Sequence, residues 1–293
     1  MFRTILLAGL AALLLAAPAA AQPRRNLGVL QESARVVEGG RAVQVLVAQP
    51  ELGAAIVPSN VTGAMGGGLI GAMIESSVQQ QRAGRAEVGI TPIRATLFDF
   101  DADTLALETT NAATAGLTWF GGQPAVFGRD NSPYAKNAAL DAAAAGQVAF
   151  FEYGYEVSPD FATVRVSVLV TLANKTVATA RRPEQRLLPR NLAFSQSLLS
   201  VVQLPNATTP EENATRWAEN DGALMRQALT TAFGDLATLI PRALQFSDAD
   251  FAAASAAPRS SDRAYPGARV IETNENGLLM YSGGLIHVQT LSE

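Results

Sequence analysis

Residues 147–175 read QVAFFEYGYEVSPDFATVRVSVLVTLANK, and the fold turns on them. Phe151, Tyr153, Tyr155 and Val157 fall on one face of an extended chain, and Glu152, Gly154 and Glu156 on the other. Ser158-Pro159-Asp160 supplies turn residues. Val164, Val166, Val168, Val170 and Leu172 then alternate again. Two alternating runs joined by a short turn predict an antiparallel hairpin. The row Phe151, Tyr153 and Tyr155 has two readings. It is the core face of the sheet, or it is an aromatic platform for a ligand.

Working outward, Val43 to Val47 follows Gly39-Gly40 with the β-branched content of a buried strand, and residues 54–57 (AAIV) continue or pair with it. Residues 192–204 read as a strand ended by Pro205. Thr209-Pro210-Glu211-Glu212 is a helix start, with a Thr cap, Pro at the first position and acids in the first turn. That helix is predicted to run to about Leu239, with Gly222 and Gly234 as points of bending and Pro241 as a boundary. Residues 134–145 are alanine-rich and helical. Residues 72–98 are predicted helical with interruptions at Gly84, Gly89 and Pro92, Thr91 serving as a cap. At the C-terminus, 269–273, 278–282 and 285–291 are strands separated by Asn274-Glu275-Asn276-Gly277 and Gly283-Gly284. The fold class is therefore α+β: a mostly antiparallel sheet of five to seven strands, helices packed on one face, and a C-terminal β-meander. The predicted units are a signal peptide over 1–21, an α+β domain over 22–257, and the meander over 258–293.

Residues 1–21 carry the compartment. Arg3 precedes an apolar run at 5–17, Pro18 ends it, and Ala19-Ala20-Ala21 offers small residues for cleavage between Ala21 and Gln22. The run is short for a membrane span. No Cys follows the cleavage site, which excludes a lipid anchor there. The expected location is periplasmic or secreted.

Composition removes several chemistries. The chain has 22 Lys and Arg against 26 Asp and Glu, a formal net charge of −4, so nucleic-acid binding lacks its electrostatic footprint. Attraction to anionic membranes by charge is equally unsupported, leaving only peripheral membrane contact. There are no cysteines, so thiol nucleophiles, disulfides and Cys metal sites are absent. The single histidine, His287, excludes zinc sites built on two or three His within one chain. Asp99, Asp101 and Asp103 alternate as in a calcium loop, but an EF-hand then needs Gly and Glu where Thr104 and Thr110 stand. The aspartates instead end one helix and cap the next, near Asp103. No cofactor motif is found. Arg181, Arg182, Arg186 and Arg190 form one local cationic stretch.

The segment VTGAMGGGLIGAMI, 61–74, spaces Gly63, Gly67 and Gly71 four residues apart. It reads either as a glycine loop leading into a helix from about Leu69, or as a smooth-faced helix that packs on another helix, a second subunit or a membrane surface. A phosphate-cradling loop is disfavoured, since the GxxxxGK[ST] form is absent.

The succession of signal peptide, strand, GGGLIGAMIES, EVGITPIRATLFDFD and FFEYGYEVSPDFATVRVSVLV resembles uncharacterised secreted (periplasmic) proteins of Gram-negative bacteria. The order strand, helix, hairpin, strand, long helix is also similar to small α/β domains of envelope proteins, such as the amino-terminal domain of TolB or the curli secretion lipoprotein. The latter's lipidated Cys and the former's propeller repeats are absent here. The resemblance implies assembly or binding in the envelope and assigns no site residues.

The leading expectation is a non-enzymatic periplasmic protein that binds or scaffolds an envelope partner or a second copy of itself. Its interaction residues would be Gly63, Gly67 and Gly71, with Phe151, Tyr153 and Tyr155. One competing reading is a carboxylate-dependent hydrolase using Glu152 and Glu156 or the Asp99–Asp103 group. Four residues along a strand separate Glu152 from Glu156 by about 13 Å, beyond the roughly 5 to 9.5 Å of paired glycosidase carboxylates. The other is a small-ligand carrier using the aromatic row.

Overall fold

A computed structural model describes residues 28–55, 69–121, 124–175, 187, 191–261, 265 and 267–292, and of residues 69–82 the backbone alone. The predicted hairpin is its centre. Strand β4 (Gln147–Val157) pairs antiparallel with β5 (Thr163–Asn174) along its whole length, Phe151 opposite Val170 and Tyr153 opposite Val168. Strand β6 (Leu192–Gln203) pairs antiparallel with β5. Phe151, Tyr153 and Tyr155 are all buried, and alternate residues Glu152, Gly154 and Glu156 are less so. The first half of β4 is buried on both faces, which is why Val148 to Phe151 reads as a continuous apolar run.

Around this hairpin the sheet is larger and more mixed than expected. It has nine strands in the order β3-β1-β4-β5-β6-β9-β8-β7, with β2 beside β4. Strand β1 (Arg41–Val47) lies parallel to both β4 and β3 (Val126–Gly128), and β2 (Gly53–Ala54) is parallel to β4. Strands β7 (Arg269–Asn274), β8 (Gly277–Tyr281) and β9 (Leu285–Thr290) are antiparallel neighbours in chain order, and β9 joins β6 in parallel. The last three strands thus extend the main sheet. The long α-helical connections between β1 and β3 and between β6 and β9 make parallel pairing possible, since a tight turn yields only antiparallel neighbours.

Helices α1 (Leu69–Thr96), α2 (Ala102–Ala115), α4 (Pro210–Gln245) and α5 (Asp248–Ala256) contribute to the main core, on the face that carries Phe151, Tyr153 and Tyr155. Helix α3 (Pro133–Ala142) departs from the one-sided expectation. Its Leu140 packs with Val148, Phe150 and Leu46, which point the other way. Its cap is local: the Ser132 hydroxyl accepts from the Ala135 N–H and Pro133 follows.

Two prolines were expected at boundaries and lie inside helices. Pro92 sits within α1, and the Thr91 hydroxyl donates to the Glu87 carbonyl one turn back rather than capping a new helix. Pro241 sits within α4, where buried Leu239, Ile240, Ala243 and Leu244 on both sides of it hold the helix together. Gly84 and Gly89 do not interrupt α1 either. The Thr209 start is a full capping box with Glu212.

Gly222 does divide α4. Glu219 to Gly222 leave helical geometry, with Asn220, Asp221 and Gly222 at positive φ. The break turns the first segment so that the Trp217 indole N–H donates to the Phe161 carbonyl at 2.6 Å. Gly222 itself passes against α1: a Cβ there would sit 2.4 Å from the Thr96 Oγ1 at a φ of +69°. Both the strain and the collision predict that Gly222→Ala lowers stability by about 2 kcal/mol. Gly234 is helical with open space where a Cβ would go. Gly234→Ala should raise stability by up to about 1 kcal/mol. Thermal unfolding of the pair checks both signs, and equal effects would show that Gly222 carries no special constraint.

Candidate functional site

The aromatic row separates into two roles. Phe151 is fully buried with its ring 6.1 Å from that of Phe120. Tyr153 packs 5.8 Å from Phe233 of α4, and its hydroxyl shares a 2.8 Å hydrogen bond with the Thr110 hydroxyl of α2. Burial pushes the Tyr153 phenol far up. These two side chains are core, closed over by α2 and α4. Tyr155 differs. It is 6% exposed and its ring lies 6.4 Å from Phe233, yet its hydroxyl has no hydrogen-bond partner among the described residues.

The carboxylates do not converge. Glu152 forms a mostly buried 2.8 Å ion pair with Lys136 of α3. Glu156 lies 3.9 Å from Arg165 of β5. Asp99 pairs with Arg226 at 2.5 Å, Asp101 caps α2 by accepting from the Thr104 N–H at 2.9 Å, and Asp103 pairs with Arg129. Hydrogen bonds from Arg226 hold the Asp99 carboxyl below its usual range, and those from Thr104 do so for Asp101. Among the described residues no group of three or more His, Cys, Asp or Glu is placed to hold a metal ion. The calcium geometry is absent for a plain reason: each aspartate faces its own partner.

His287 belongs to a polar cluster that the sequence did not announce. Its Nδ1 lies 3.0 Å from the Asp235 carboxylate of α4. The same carboxylate oxygen accepts from the Ser200 hydroxyl of β6 at 2.7 Å and from the Gln289 amide. The Asp235 hydrogen bond is the main cause that holds His287 above its usual pKa, against partial burial, with the Asn276 backbone and Glu272 acting in the same sense. The Ser200 hydroxyl is spent on Asp235, so it is not presented to His287 as a nucleophile would be. The signal that could have found Asp235 is its position. It lies on the stripe of Ala228, Ala232 and Leu239, a lone charge on a buried helix face.

A cleft of about 360 Å³ opens between α4, α5 and β7, lined by Arg242, Gln245, Phe246, Asp250, Ala253 and Ile271 among others. Arg242 pairs with Glu272 at 2.9 Å on its edge. Phe246 stacks on Tyr281 beneath it, with ring centroids 5.7 Å apart.

Gly63 and Gly67 lie outside the described residues, as do residues 1–21, Arg181, Arg182, Arg186 and Arg190. Gly71 lies in the first turn of α1. Among the described residues no helix is long and apolar enough to cross a membrane. Comparison with protein-family models, with curated proteins and with solved structures finds no match to this chain. The fold class on which the site must be read is α+β on a mixed nine-stranded sheet.

Proposed function

We propose that this protein is a non-enzymatic component of the bacterial envelope, working in the periplasm, that binds or scaffolds a protein partner through helix α1. One observation carries the reading: of the described side chains of α1, those from Gly89 onward include the buried ones and those over 83–88 include none. Ile90 and Ile93 are fully buried, and Gly89 passes so close to Phe161 that a Cβ would lie 2.6 Å from its ring. Ahead of Gly89 the described side chains are half-buried or exposed, and Val88 is 77% exposed. Helical backbone continues back to Leu69, so about 30 Å of helix precedes Ile90. An isolated helix gains little from propensity alone, and glycine weakens it further. A partner surface against residues 83–88 would bury Val88. The resemblance to envelope α/β domains supports the same reading. The carboxylates of the hydrolase reading are committed to ion pairs and caps instead.

Photo-crosslinking in cells tests this. A benzophenone side chain at Val88 or Gly71 should give one discrete adduct, absent from the exposed position Glu108 on α2. Gly67→Leu with Gly71→Leu should abolish the Val88 adduct. The same adducts from all three positions, or none from Val88, would overturn the assignment. Amino-terminal sequencing of the periplasmic form should begin at Gln22.

A further inference from the structure

We propose a second binding site, for an apolar α-amino acid in its zwitterionic form, in the cleft between α4, α5 and β7. It goes beyond the docking role of α1 and does not depend on it. One cavity joins the residues concerned. Its volume of about 360 Å³ falls at the lower end of the roughly 300 to 1,000 Å³ of small-molecule sites. That size suits a single amino acid better than a large cofactor. The floor is apolar: Phe246 and Ala254 are buried, and Ala257 and Ile271 are half-buried. It is braced from below, where Phe246 stacks on Tyr281 and the Phe251 ring meets Tyr281 edge-on, with centroids 5.8 Å apart. Along α5 the cleft is lined by the methyl groups of alanines, which leave it open.

Charges of opposite sign line the same cleft. Arg242 of α4 and Asp250 of α5 both border it, and Arg242 pairs with Glu272 at 2.9 Å rather than with Asp250. Opposite charges that share a cavity without closing on each other leave room for a ligand that carries both signs. Each is held by its own neighbour and keeps bonding capacity. Nη1 of Arg242 donates to Glu272, which also accepts from the Asn274 amide at 2.9 Å. A guanidinium has five N–H donors, so most of the fork is left over. Asp250 accepts from the Ser247 N–H at 2.9 Å and hydroxyl at 2.7 Å, both on Oδ2, which leaves Oδ1. Gln245 adds an exposed amide to the lining, with no side-chain hydrogen bond among the described residues. Charged groups fixed before a ligand arrives lose little freedom on binding it.

The pattern selects a zwitterion. An α-amino acid sets its carboxylate on the Arg242 fork, its ammonium on Asp250 and its apolar side chain on Phe246 and Ile271. A simple anion meets Arg242 but is repelled by Asp250 and Glu272, and a simple cation is repelled by Arg242. A neutral apolar molecule would cover the floor and leave both charges partly desolvated without a partner.

Titration calorimetry on the mature chain, with leucine and phenylalanine as probes, tests the assignment. N-acetyl-leucine, which lacks the ammonium, and leucinamide, which lacks the carboxylate, serve as controls. The expected result is binding of at least one of the two amino acids, weakened about tenfold by either blocking group and about tenfold by Arg242→Gln or Asp250→Asn. Arg242→Gln should leave leucinamide binding unchanged, and Asp250→Asn should leave N-acetyl-leucine binding unchanged, since the partner of each is already gone. Asparagine keeps a side-chain oxygen for the Ser247 bonds, and Arg242 is a surface residue, so both variants should melt as the wild type does. No binding of either amino acid, a blocked analogue binding as tightly as leucine, or wild-type affinity in either variant would overturn it.

Discussion

Replacing Arg41 with methionine will lower the stability of the protein by about 4 kcal/mol. Arg41 is 2% exposed, and among the described residues its side-chain partners are all carbonyl oxygens. Its Nε donates to the Gln147 side-chain carbonyl, Nη1 to the carbonyls of Trp119 and Phe120 at 3.4 and 3.1 Å, and Nη2 to those of Ala34 and Arg35, both at 3.3 Å. Its guanidinium also lies 5.0 Å from the Trp119 ring centroid and 4.8 Å from that of Phe120. Burial alone pushes its pKa down to about 10, so the charge itself is held at a cost. Methionine removes that cost but takes the donor from five acceptors. Each stranded group costs roughly 1 kcal/mol or more, so the loss of hydrogen bonds wins. Lysine should not rescue, because a compact ammonium has three donors and cannot span five. Denaturant unfolding should show the deficit, and a melt should fall by roughly 10 °C. A change within about 1 kcal/mol for both variants would mean that the loops at 34–35 and 119–120 do not depend on Arg41.

The second large effect belongs to Asp235. Asp235→Ala leaves the Ser200 hydroxyl, the Gln289 amide and the His287 ring without their shared acceptor, at a cost of about 3 kcal/mol. The wild type should also respond to pH with a defined sign. The folded-state pKa of His287 lies above its usual 6.5 because Asp235 favours the imidazolium. Its contribution is therefore complete below pH 6.5 and is lost as pH rises through the higher folded-state value. Unfolding free energy should fall from pH 6 toward the mildly alkaline side, and Asp235→Asn or His287→Gln should flatten that slope. An unchanged slope in His287→Gln would assign the pH dependence to other groups. Because the cluster joins α4, β6 and β9, hydrogen exchange of β9 should rise with the same pH profile.

Local chemistry was legible where one short segment holds all of it. The β4–β5 hairpin shows as two alternating runs and a Ser-Pro-Asp turn, because adjacent strands need only each other. The Thr209 capping box and the Asp101 cap are written within four residues. Pro92 and Pro241 misled because proline weakens a helix locally, while burial of Ile93 or of Leu239 and Leu244 acts across the tertiary structure. The parallel pairs β1–β4 and β6–β9 leave no turn signal, since helices and loops separate the partners. Among the candidate site residues, Phe151, Tyr153 and Tyr155 look equivalent as a row. They differ in what meets them: the Phe120 ring from the segment after α2 for Phe151, the Thr110 hydroxyl of α2 for Tyr153, and only the Phe233 ring of α4 for Tyr155, whose hydroxyl has no hydrogen-bond partner among the described residues. Glu152 and Glu156 likewise share a strand face but meet different cations.

By itself the sequence determined the α+β class, the central hairpin, the helix starts, and the absence of thiol and multi-histidine chemistry, because composition, period and capping act within a few residues. Only the tertiary structure decided that the last three strands join the main sheet, that Arg41 is a buried cation held by five carbonyl oxygens, and that Asp235 gathers Ser200, His287 and Gln289. Those outcomes depend on which distant backbone and side-chain groups meet out of water, and a polar group's role there is set by its partners in space rather than by its neighbours in the chain.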